Sequence, residues 1–370
     1  MESAKEVVKK VVPMTNRRDR RIREVRRGME VAGISQLIVS EPAALWYLTG
    51  EEIHPGERLT VLVIQKERVF WLRNRLFPLY HQGKDIEDIS FADGEDGMAL
   101  LAKQLTNSCC GVDQTWAAGF LLDLMGKRAD VSFVKGSFLV DKVRAIKDET
   151  EIEVMGEASR INDRAMARMK EWIRPGMTEK ECAEKLLAVY REEGADGFSF
   201  PPIVSFGAHG ADPHHMPDDT VCKKRDVVLL DIGCRKDHYC SDMTRTWFMG
   251  EPTEEEIQVH RIVEEAGRLA ESMVRPGVPL KGLDAAARKY ITDAGYGPYF
   301  THRLGHFIGI REHEAGEVSS SSPLVATPGM IFSIEPGIYL PGKFGVRIED
   351  LVLVTETGCE VLNKVSRVRD

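Results

Sequence analysis

Four short apolar runs between residues 227 and 354 each carry an acidic side chain, and they constrain the fold more than any other feature. The runs are VVLLDIG (227–233), SDMTRTWF (241–248), IFSIEPGIYL (331–340) and VRIEDLVLV (346–354), and they hold Asp231, Asp242, Glu335 and Glu349. Runs this apolar predict strands buried on at least one face. A buried, unpaired carboxylate costs several kcal/mol, so four of them cannot stay ionised together without cations.

A simpler alternative is that each acid pairs separately with an arginine or lysine, or lies at a strand end. Four acids with a histidine in one region favour a cation site instead. Hard divalent metals such as Mn²⁺ accept mixed carboxylate and imidazole ligands. Four carboxylates also balance the charge of two dications, which is the stoichiometry of two-metal hydrolysis. We therefore predict two divalent ions per chain, manganese first, with cobalt and zinc as alternatives.

Histidines concentrate in the same region, since eight of the ten fall between His209 and His313. The segment HRLGHFIGIREHE holds His302, His306 and His313, which indicates a ligand, His306, with further histidines around it. There is no HExxH motif, because His313-Glu314 is followed by Ala-Gly-Glu, and there is no GxSxG motif. Zincin and serine-hydrolase chemistry are therefore not predicted.

The length of 370 residues is typical of two domains. We expect a smaller α/β domain over 1–140 and a catalytic α/β (α+β) domain over 141–370. The net charge of −8 argues against nucleic acid as a partner, and no apolar run approaches the ~20 residues that span a bilayer. The N-terminus has no apolar segment after its charges, and the seven cysteines are an odd number. We therefore expect a protein of the reducing cytoplasm.

The pattern along 20–140 alternates between helix and strand. A basic stretch, Arg17 to Arg27, has apolar residues at helical spacing and predicts an amphipathic helix with a solvated basic face. Apolar runs follow at 36–40, 44–50, 59–64, 68–72 and 132–140, with a helical stretch at 98–105. Strands alternating with helices predict a small α/β domain. A long helix over 141–173 then opens the second domain.

A weak internal repeat lies in the second domain. WIRPGMTEKECAEKLLAVY (172–190) is similar to MVRPGVPLKGLDAAARKY (273–290). Both read apolar-Arg-Pro-Gly, a short turn and an amphipathic helix, and Thr178 with Glu181 forms a capping-box pattern. The repeat indicates a duplicated α/β half, although a Pro-Gly turn before a helix is common.

Together, LLDIG, SDMTRT, HRLGHFIG, SIEPGIY and VRIED resemble the pita-bread peptidases, the group that contains prolidase, aminopeptidase P and methionine aminopeptidase. Their order and spacing agree with that family over 141–370. The region 20–140, with ALWYLTG, looks like the additional N-terminal domain of the prolidase, aminopeptidase P and creatinase branch. The resemblance implies a pita-bread catalytic domain with a pseudo-twofold repeat.

The resemblance also implies a role for each ligand. Asp231 would chelate one metal, and His306 with Glu335 would hold the other. Asp242 and Glu349 would bridge the pair. Glu335 would in addition carry a proton from the nucleophile toward the leaving nitrogen.

Further roles follow from the same resemblance. His214, in DPHHMPDD, stands where the family keeps a substrate-binding histidine, and the adjacent His215 is then incidental. His302 and His313 match two histidines that contact substrate and stabilise the transition state, with His313 at the scissile carbonyl. Arg347 would orient the ligands or bind a substrate carboxylate.

Two features depart from these motifs. In prolidase-like dimers an N-terminal loop reaches the neighbouring subunit's site, and His54 in IHPGERL (53–59) stands in the corresponding place. The alternative is a surface turn at Pro55-Gly56, and the sequence leaves both open. Phe307 stands where many relatives have glycine, so we expect it to narrow the pocket without disturbing the metals.

The implied activity is hydrolysis of Xaa-Pro bonds by a homodimer, first as a dipeptidase. The alternative is an aminopeptidase that removes the residue before proline from longer peptides. Creatinase-like C–N hydrolysis and a non-catalytic binding module are less favoured, because those branches do not keep all five ligands. No nucleic acid and no membrane are expected as partners.

Overall fold

A computed structural model of the chain describes residues 14–81 and 85–367. The chain divides into two compact units, the first ending at Arg144 and the second starting at Ala145. The domain boundary that we placed after residue 140 lies inside the helix Phe138–Ala145 and stays a proposal. Among the described residues, no helix combines the length and the apolar character that a membrane crossing requires.

The first unit is built around one mixed sheet. Its helices are α1 (Met14–Ala32), α2 (Pro42–Thr49), α3 (Gly97–Gln104), α4 (Ala118–Lys127) and α5 (Phe138–Ala145). Its strands are β1 (Gln36–Val39), β2 (Thr60–Gln65), β3 (Val69–Asn74), β4 (Glu87–Phe91), β5 (Cys110–Val112) and β6 (Phe133–Lys135). The strand order is β4-β3-β2-β1-β5-β6, with β1 antiparallel to β2 and parallel to β5. The predicted α/β domain is therefore present.

Local signals account for its first two helices. In α1 the side chains of Ile22, Val25 and Met29 are buried, so the basic stretch is an amphipathic helix. The prediction of a solvated basic face is wrong in part, because Arg18 and Arg21 are also buried. The apolar run 44–50 belongs to the helix α2, because the Glu41 carboxylate accepts a hydrogen bond from the Ala44 amide at 2.7 Å. Gly50, with φ 81°, ends that helix in the left-handed conformation.

Over its described residues, 145–367, the second unit has four long helices and several small sheets. Its helices are α6 (Glu149–Trp172), α7 (Glu179–Glu193), α8 (Glu254–Met273) and α9 (Leu280–Asp293). Its strands are β7 (Gly197–Phe198), β8 (Ile203–Phe206), β9 (Val227–Ile232), β10 (Cys234–Lys236), β11 (Tyr239–Cys240), β12 (Met243–Phe248), β13 (Gly305–Phe307), β14 (Glu314–Val318), β15 (Ile331–Ile334), β16 (Gly337–Leu340), β17 (Phe344–Arg347), β18 (Asp350–Val354) and β19 (Cys359–Val361).

The prediction of one continuous helix over 141–173 is wrong, because the helix is interrupted between the end of α5 and the start of α6. Asp148 caps α6 by accepting from the amides of Thr150 and Glu151, and the Glu151 carboxylate accepts from the Asp148 amide. This capping box fixes a new helix start at Glu149.

The internal repeat corresponds to two similar halves. In each half a Pro-Gly turn joins two helices, α6 to α7 and α8 to α9. Thr178 bridges Val221 before α7, and Pro279 bridges Val325 before α9. The first pair of helices packs on the sheet β12-β9-β8, and the second packs on β14-β13-β15-β18-β19. The duplication suggested by the sequence is thus present in the helix pairs and their turns.

Candidate metal and active site

The first half contributes two aspartates from adjacent antiparallel strands. Asp231 in β9 lies directly opposite Thr244 in β12, so the two side chains share a face of the sheet. Asp242 precedes Thr244 by two residues and therefore points to the same side. Both aspartates are buried. The strand register thus brings together two acids that are eleven residues apart.

The second half contributes His306, Glu335 and Glu349. In the pairing of β15 with β18, Ile334 is opposite Asp350, so Glu335 just after one strand is close to Glu349 just before the other. The Glu349 amide donates to the Thr244 carbonyl at 3.1 Å, and the Thr244 hydroxyl donates to Glu349 Oε2 at 2.7 Å. These contacts join the acids of the two halves.

The atoms at the centre of this cluster are spaced too widely for ordinary hydrogen bonds. His306 Nε2 lies 3.4 Å from Glu335 Oε1, 3.6 Å from Asp242 Oδ2 and 4.0 Å from Glu349 Oε1. Within the described part of the chain, Asp231 Oδ1, Asp242 Oδ1 and Glu349 Oε1 are buried without a hydrogen-bond partner. Unpartnered buried oxygens are costly, and a bound cation would satisfy them. The residues present therefore fit divalent metal ions.

Burial controls the ionisation of these groups. It raises the pKa of Asp242 and of Glu349 well above their usual range, and the neighbouring carboxylates add to the effect. Burial also raises the pKa of Glu335 to about 7 and lowers that of His306 to about 3. The imidazole of His306 is therefore neutral, and Nδ1 donates to the Phe307 carbonyl at 3.2 Å. The lone pair of Nε2 consequently faces the carboxylates, as in a metal ligand.

Arg347 is a buried arginine, and each of its three nitrogen atoms donates a hydrogen bond to the protein. Its Nη2 donates to Asp231 Oδ2 at 2.6 Å, its Nε to the Thr244 hydroxyl at 3.0 Å, and its Nη1 to the Tyr339 hydroxyl at 2.9 Å. The alternative of separate acid–arginine pairs thus holds in part for Asp231. It does not hold for the other three acids of the cluster, among the contacts of the described residues. We favour the orienting role of Arg347 over binding of a substrate carboxylate.

The hydrogen bonds of His302 fix its tautomer. Because a carbonyl only accepts, Nδ1 carries the proton that is shared with the Arg303 carbonyl at 2.7 Å. Nε2 then accepts from the Tyr339 hydroxyl at 2.8 Å, and Tyr339 in turn accepts from Arg347. Burial lowers the pKa of His302 to about 4, which agrees with a neutral ring. Tyr339 is a site residue that the sequence reasoning missed.

A cavity of about 610 Å³ opens on this cluster. Its lining includes the five predicted ligands, the predicted residues His214, His302, His313 and Arg347, and an apolar wall of Phe200, Pro201, Ile203, Pro213 and Met216. The ring of His313 lies 4.1 Å from that of His306, and burial lowers its pKa. Arg303 and Glu312 also line the cavity, and although both lie in the segment HRLGHFIGIREHE, the sequence analysis gave them no role.

Two of the remaining sequence hypotheses have different outcomes. Phe307 has no exposed surface and packs against Phe332 in the core, so the expectation that it narrows the pocket is wrong. Successive side chains of a strand point to opposite faces, and His306 takes the face toward the site. His54 is 75% exposed and lies 3.4 Å from Glu52. Its proposed contact with a partner subunit stays a prediction.

Comparisons with known proteins agree with this geometry. Residues 153–356 match the model of metallopeptidase family M24, and residues 21–146 match the creatinase/prolidase N-terminal domain. An uncharacterized peptidase of Staphylococcus aureus is 36% identical over 327 residues, which cover 88% of this chain and 93% of that protein.

Solved structures are similar over nearly the whole chain. The Xaa-Pro dipeptidase from Bacillus anthracis has a TM-score of 0.87 at 33% identity and covers 95% of this chain and 99% of its own. A dipeptidase from Pyrococcus horikoshii has 0.88 at 35%, with 94% and 98% covered. The X-Pro aminopeptidase from Thermotoga maritima has 0.79 at 33%, with 92% and 99% covered.

The chain belongs to metallopeptidase family M24. Its first unit is the N-terminal domain of the creatinase and prolidase branch, and its second unit has the pita-bread fold. The resemblance inferred from the five motifs is thereby confirmed, and the family implies divalent metal ions at the carboxylate cluster.

Proposed function

We propose that this chain hydrolyses the peptide bond between an amino acid and a following proline, acting first on Xaa-Pro dipeptides. The observation that carries the proposal is the group of four carboxylates and one neutral imidazole on a single cavity, with three buried oxygens unpartnered among the described residues. The similar Xaa-Pro dipeptidase from Bacillus anthracis supports the same bond specificity.

Two divalent ions, manganese first, would be held by these five side chains. By the resemblance to the family, Asp231 would hold one ion, His306 and Glu335 would hold the other, and Asp242 and Glu349 would contribute to both. When bound, the ions supply an acidified water near neutral pH and positive charge for the carbonyl oxygen. Thr244 and Arg347 would hold the carboxylates in place through the hydrogen bonds to Glu349 and Asp231.

Glu335 would accept a proton from the attacking water and pass it to the leaving proline nitrogen. His313, kept neutral by burial, would donate an N–H to the carbonyl oxygen as negative charge develops there. Both ring nitrogens of His302 are occupied by hydrogen bonds within the protein. We therefore assign His302 a structural role, in which it shapes the wall of the cavity.

The leaving nitrogen of an Xaa-Pro bond belongs to a tertiary amide and carries no hydrogen. The site therefore needs a surface for the rigid ring and no acceptor for an N–H group. Phe200, Pro201 and Ile203 provide apolar surface on the cavity. Together with His214 and His313, they are the residues that we expect to contact substrate.

The test compares kcat/KM for an Xaa-Pro dipeptide and an Xaa-Pro-Yaa tripeptide with Mn²⁺ present. A preference for the dipeptide supports the dipeptidase, and a preference for the tripeptide supports the aminopeptidase alternative. If the enzyme cleaves the Xaa-Pro bond in neither the dipeptide nor the tripeptide, the proposed bond specificity is contradicted. An Xaa-Ala dipeptide serves as the control for proline selectivity.

We also propose that the active unit is a homodimer in which His54 acts at the partner's site. His54→Ala chains and Asp231→Ala chains, each inactive, are dissociated, mixed and reassembled. Activity should reappear, because some mixed dimers contain one intact site. An inactive mixture places His54 in its own chain's site, and a fully active His54→Ala enzyme makes the loop a surface turn.

A further inference from the structure

A second group of histidine and acidic side chains lies at the start of α7. Glu179, the first residue of that helix, has no exposed side-chain surface. Its Oε1 accepts from the Phe206 amide at 2.9 Å and from His209 Nδ1 at 3.0 Å. Its Oε2 accepts from the Asp218 amide at 3.1 Å and from His215 Nε2 at 2.7 Å. One buried carboxylate therefore accepts four hydrogen bonds.

Histidine and acidic side chains could also hold a metal ion. The distances between imidazole nitrogen and carboxylate oxygen distinguish a metal site from a set of hydrogen bonds. At the cluster around His306, imidazole nitrogen and carboxylate oxygen are 3.4 to 4.0 Å apart. Around Glu179 the corresponding distances are 2.7 and 3.0 Å, which are normal hydrogen bonds. Both Glu179 oxygens already accept two donors each. The ring nitrogens thus share protons with the carboxylate and are not directed at an empty centre.

The four donors come from both ends of one segment. Phe206 begins the segment 206–218 and Asp218 ends it, and both bind the same carboxylate. Between them, Pro213, His214 and Met216 line the cavity. The segment also touches a second fixed point, because a Cβ at Gly345 would lie only 1.8 Å from the Gly210 carbonyl oxygen. The position of His214 is therefore set from residues on either side of it.

The internal repeat shows that the fold alone does not require a carboxylate here. Counting from the shared Arg-Pro-Gly turn, the position of Glu179 corresponds to Leu280 at the start of α9. Leu280 is fully buried in the apolar core between the helices α8 and α9 and their sheet. An apolar side chain thus serves the same turn in the other half. A buried charge is costly unless it is fully partnered, so its presence in the first half indicates a task beyond folding.

We propose that Glu179, together with His209 and His215, is a positioning residue that fixes the segment 206–218 and so holds His214 at the substrate cavity. The proposal rests on the proposed function, since His214 is assigned there to substrate binding. Glu179 itself does not line the cavity, as far as the described residues define it. It acts through the backbone at both ends of the segment.

The kinetic test uses Glu179→Gln, His214→Ala and the double variant. The glutamine amide keeps one acceptor oxygen and turns a donor toward the remaining N–H groups. We expect kcat/KM for the Xaa-Pro dipeptide to fall about 10- to 100-fold, mostly through KM, because a displaced contact loses up to that factor. In the His214→Ala background the same change should cost nothing further, since both act through one side chain. Equal losses in both backgrounds would overturn the proposal.

A matched control lies two residues further along α7. Glu181→Gln makes the same substitution in an exposed carboxylate of the capping box, which glutamine also completes, and it should leave kcat/KM unchanged. If Glu179→Gln does not fold, His215→Gln and His215→Ala replace it. Glutamine can still donate to Glu179, so His215→Gln should retain activity that His215→Ala loses. Equal activity of the two variants would contradict the proposal.

Two measurements do not depend on the substrate. Hydrogen exchange of the wild-type protein and Glu179→Gln should show faster exchange over 206–218 in the variant, and unchanged exchange there would overturn the proposal. Metal analysis of the wild type and of the His209→Asn/His215→Asn variant should give equal contents. Loss of one metal equivalent in the variant would make the cluster a metal site instead. An enzyme without Xaa-Pro activity but with the exchange effect would refute the proposed function alone.

Discussion

Two groups of histidine and acidic side chains in the described part of the second unit differ in how their oxygens are partnered. Around His306, four carboxylates share one neutral imidazole and one arginine, and three buried oxygens accept nothing. Around Glu179, one carboxylate meets two imidazoles and two backbone amides, and both oxygens are satisfied. The difference is one of stoichiometry. An excess of buried carboxylates requires cations, whereas a carboxylate surrounded by enough donors is satisfied by hydrogen bonds that hold the chain in place.

The largest expected effect separates the two clusters by metal dependence. A chelator should abolish activity, and Glu349→Gln should lower metal affinity and turnover by at least about 10- to 100-fold, because it removes charge from a proposed bridging ligand. Glu179→Gln should leave the metal content of the purified protein unchanged. The checks are metal analysis at saturating Mn²⁺ and a titration of activity against Mn²⁺. Absence of stoichiometric metal in the wild type would contradict the whole assignment of the His306 cluster.

The next largest effect concerns His313, whose ring lies beside that of His306 in the carboxylate cluster. His313→Ala should keep both metals and lower kcat about 10²- to 10³-fold, as expected for removal of one donor to the developing oxyanion. Parallel metal analysis and steady-state kinetics test this. If the variant loses metal together with activity, His313 is a ligand and the cluster is larger than we assign.

The third effect is a pH dependence of the metal-free protein. Burial raises the pKa of Asp242, Glu335 and Glu349 in the folded state, so the folded chain holds protons that the unfolded chain has released. Stability should therefore fall as pH rises, by about 1.4 kcal/mol per pH unit for each such proton.

The window for this measurement is about pH 7.5 to 8.5, where Asp242 and Glu349 supply the slope. Glu335, with a pKa of about 7, has largely released its proton below this window. Burial lowers the pKa of His302 to about 4 and that of His306 to about 3, so both rings are neutral in the folded state at neutral pH. In the unfolded chain their pKa is about 6.5, so they are mostly neutral there only above about pH 7.5. Their opposite effect, a gain of stability with rising pH, is confined to lower pH. Urea unfolding at several pH values, with and without Mn²⁺, is the measurement. Saturating metal should remove the slope, and a flat profile without metal would show that the carboxylates are not held protonated.

The smallest expected effect is on the free energy of unfolding, which a glutamate-to-glutamine substitution should change with opposite sign in the two clusters. In metal-free protein at pH 8, Glu349→Gln should increase stability, because it removes a carboxylate whose ionisation is opposed by burial and by neighbouring acids. Glu179→Gln should decrease stability by about 1 to 3 kcal/mol, since it leaves buried donors unpaired. Unfolding midpoints of the two variants measured side by side provide the comparison. Equal signs would mean that the clusters do not differ in the way that their distances indicate.

Much of the candidate site could be predicted from the sequence for a local reason. An acid inside an apolar strand, such as Asp231 in VVLLDIG, carries its own signal, because burial of the run implies burial of the acid. Capping boxes such as Thr178 with Glu181 likewise mark helix starts through residues three apart. The inward direction of Phe307 was also available, because strand alternation sends it away from the face of His306.

The sequence by itself determined several helix starts, the apolar runs that hold or flank the acids, and the excess of carboxylates near a histidine, because each depends on residues close together in the chain. Only the tertiary structure decided the partners. Arg347 meets Asp231 across 116 residues, and His215, which the sequence reasoning had treated as incidental, meets Glu179 across 36. Such pairs depend on how the strands and turns of the two halves pack, and their separation in the chain leaves no local pattern. Whether a carboxylate is suited to bind a cation or accepts hydrogen bonds from the protein was therefore decided by distances between side chains, which only the tertiary structure sets.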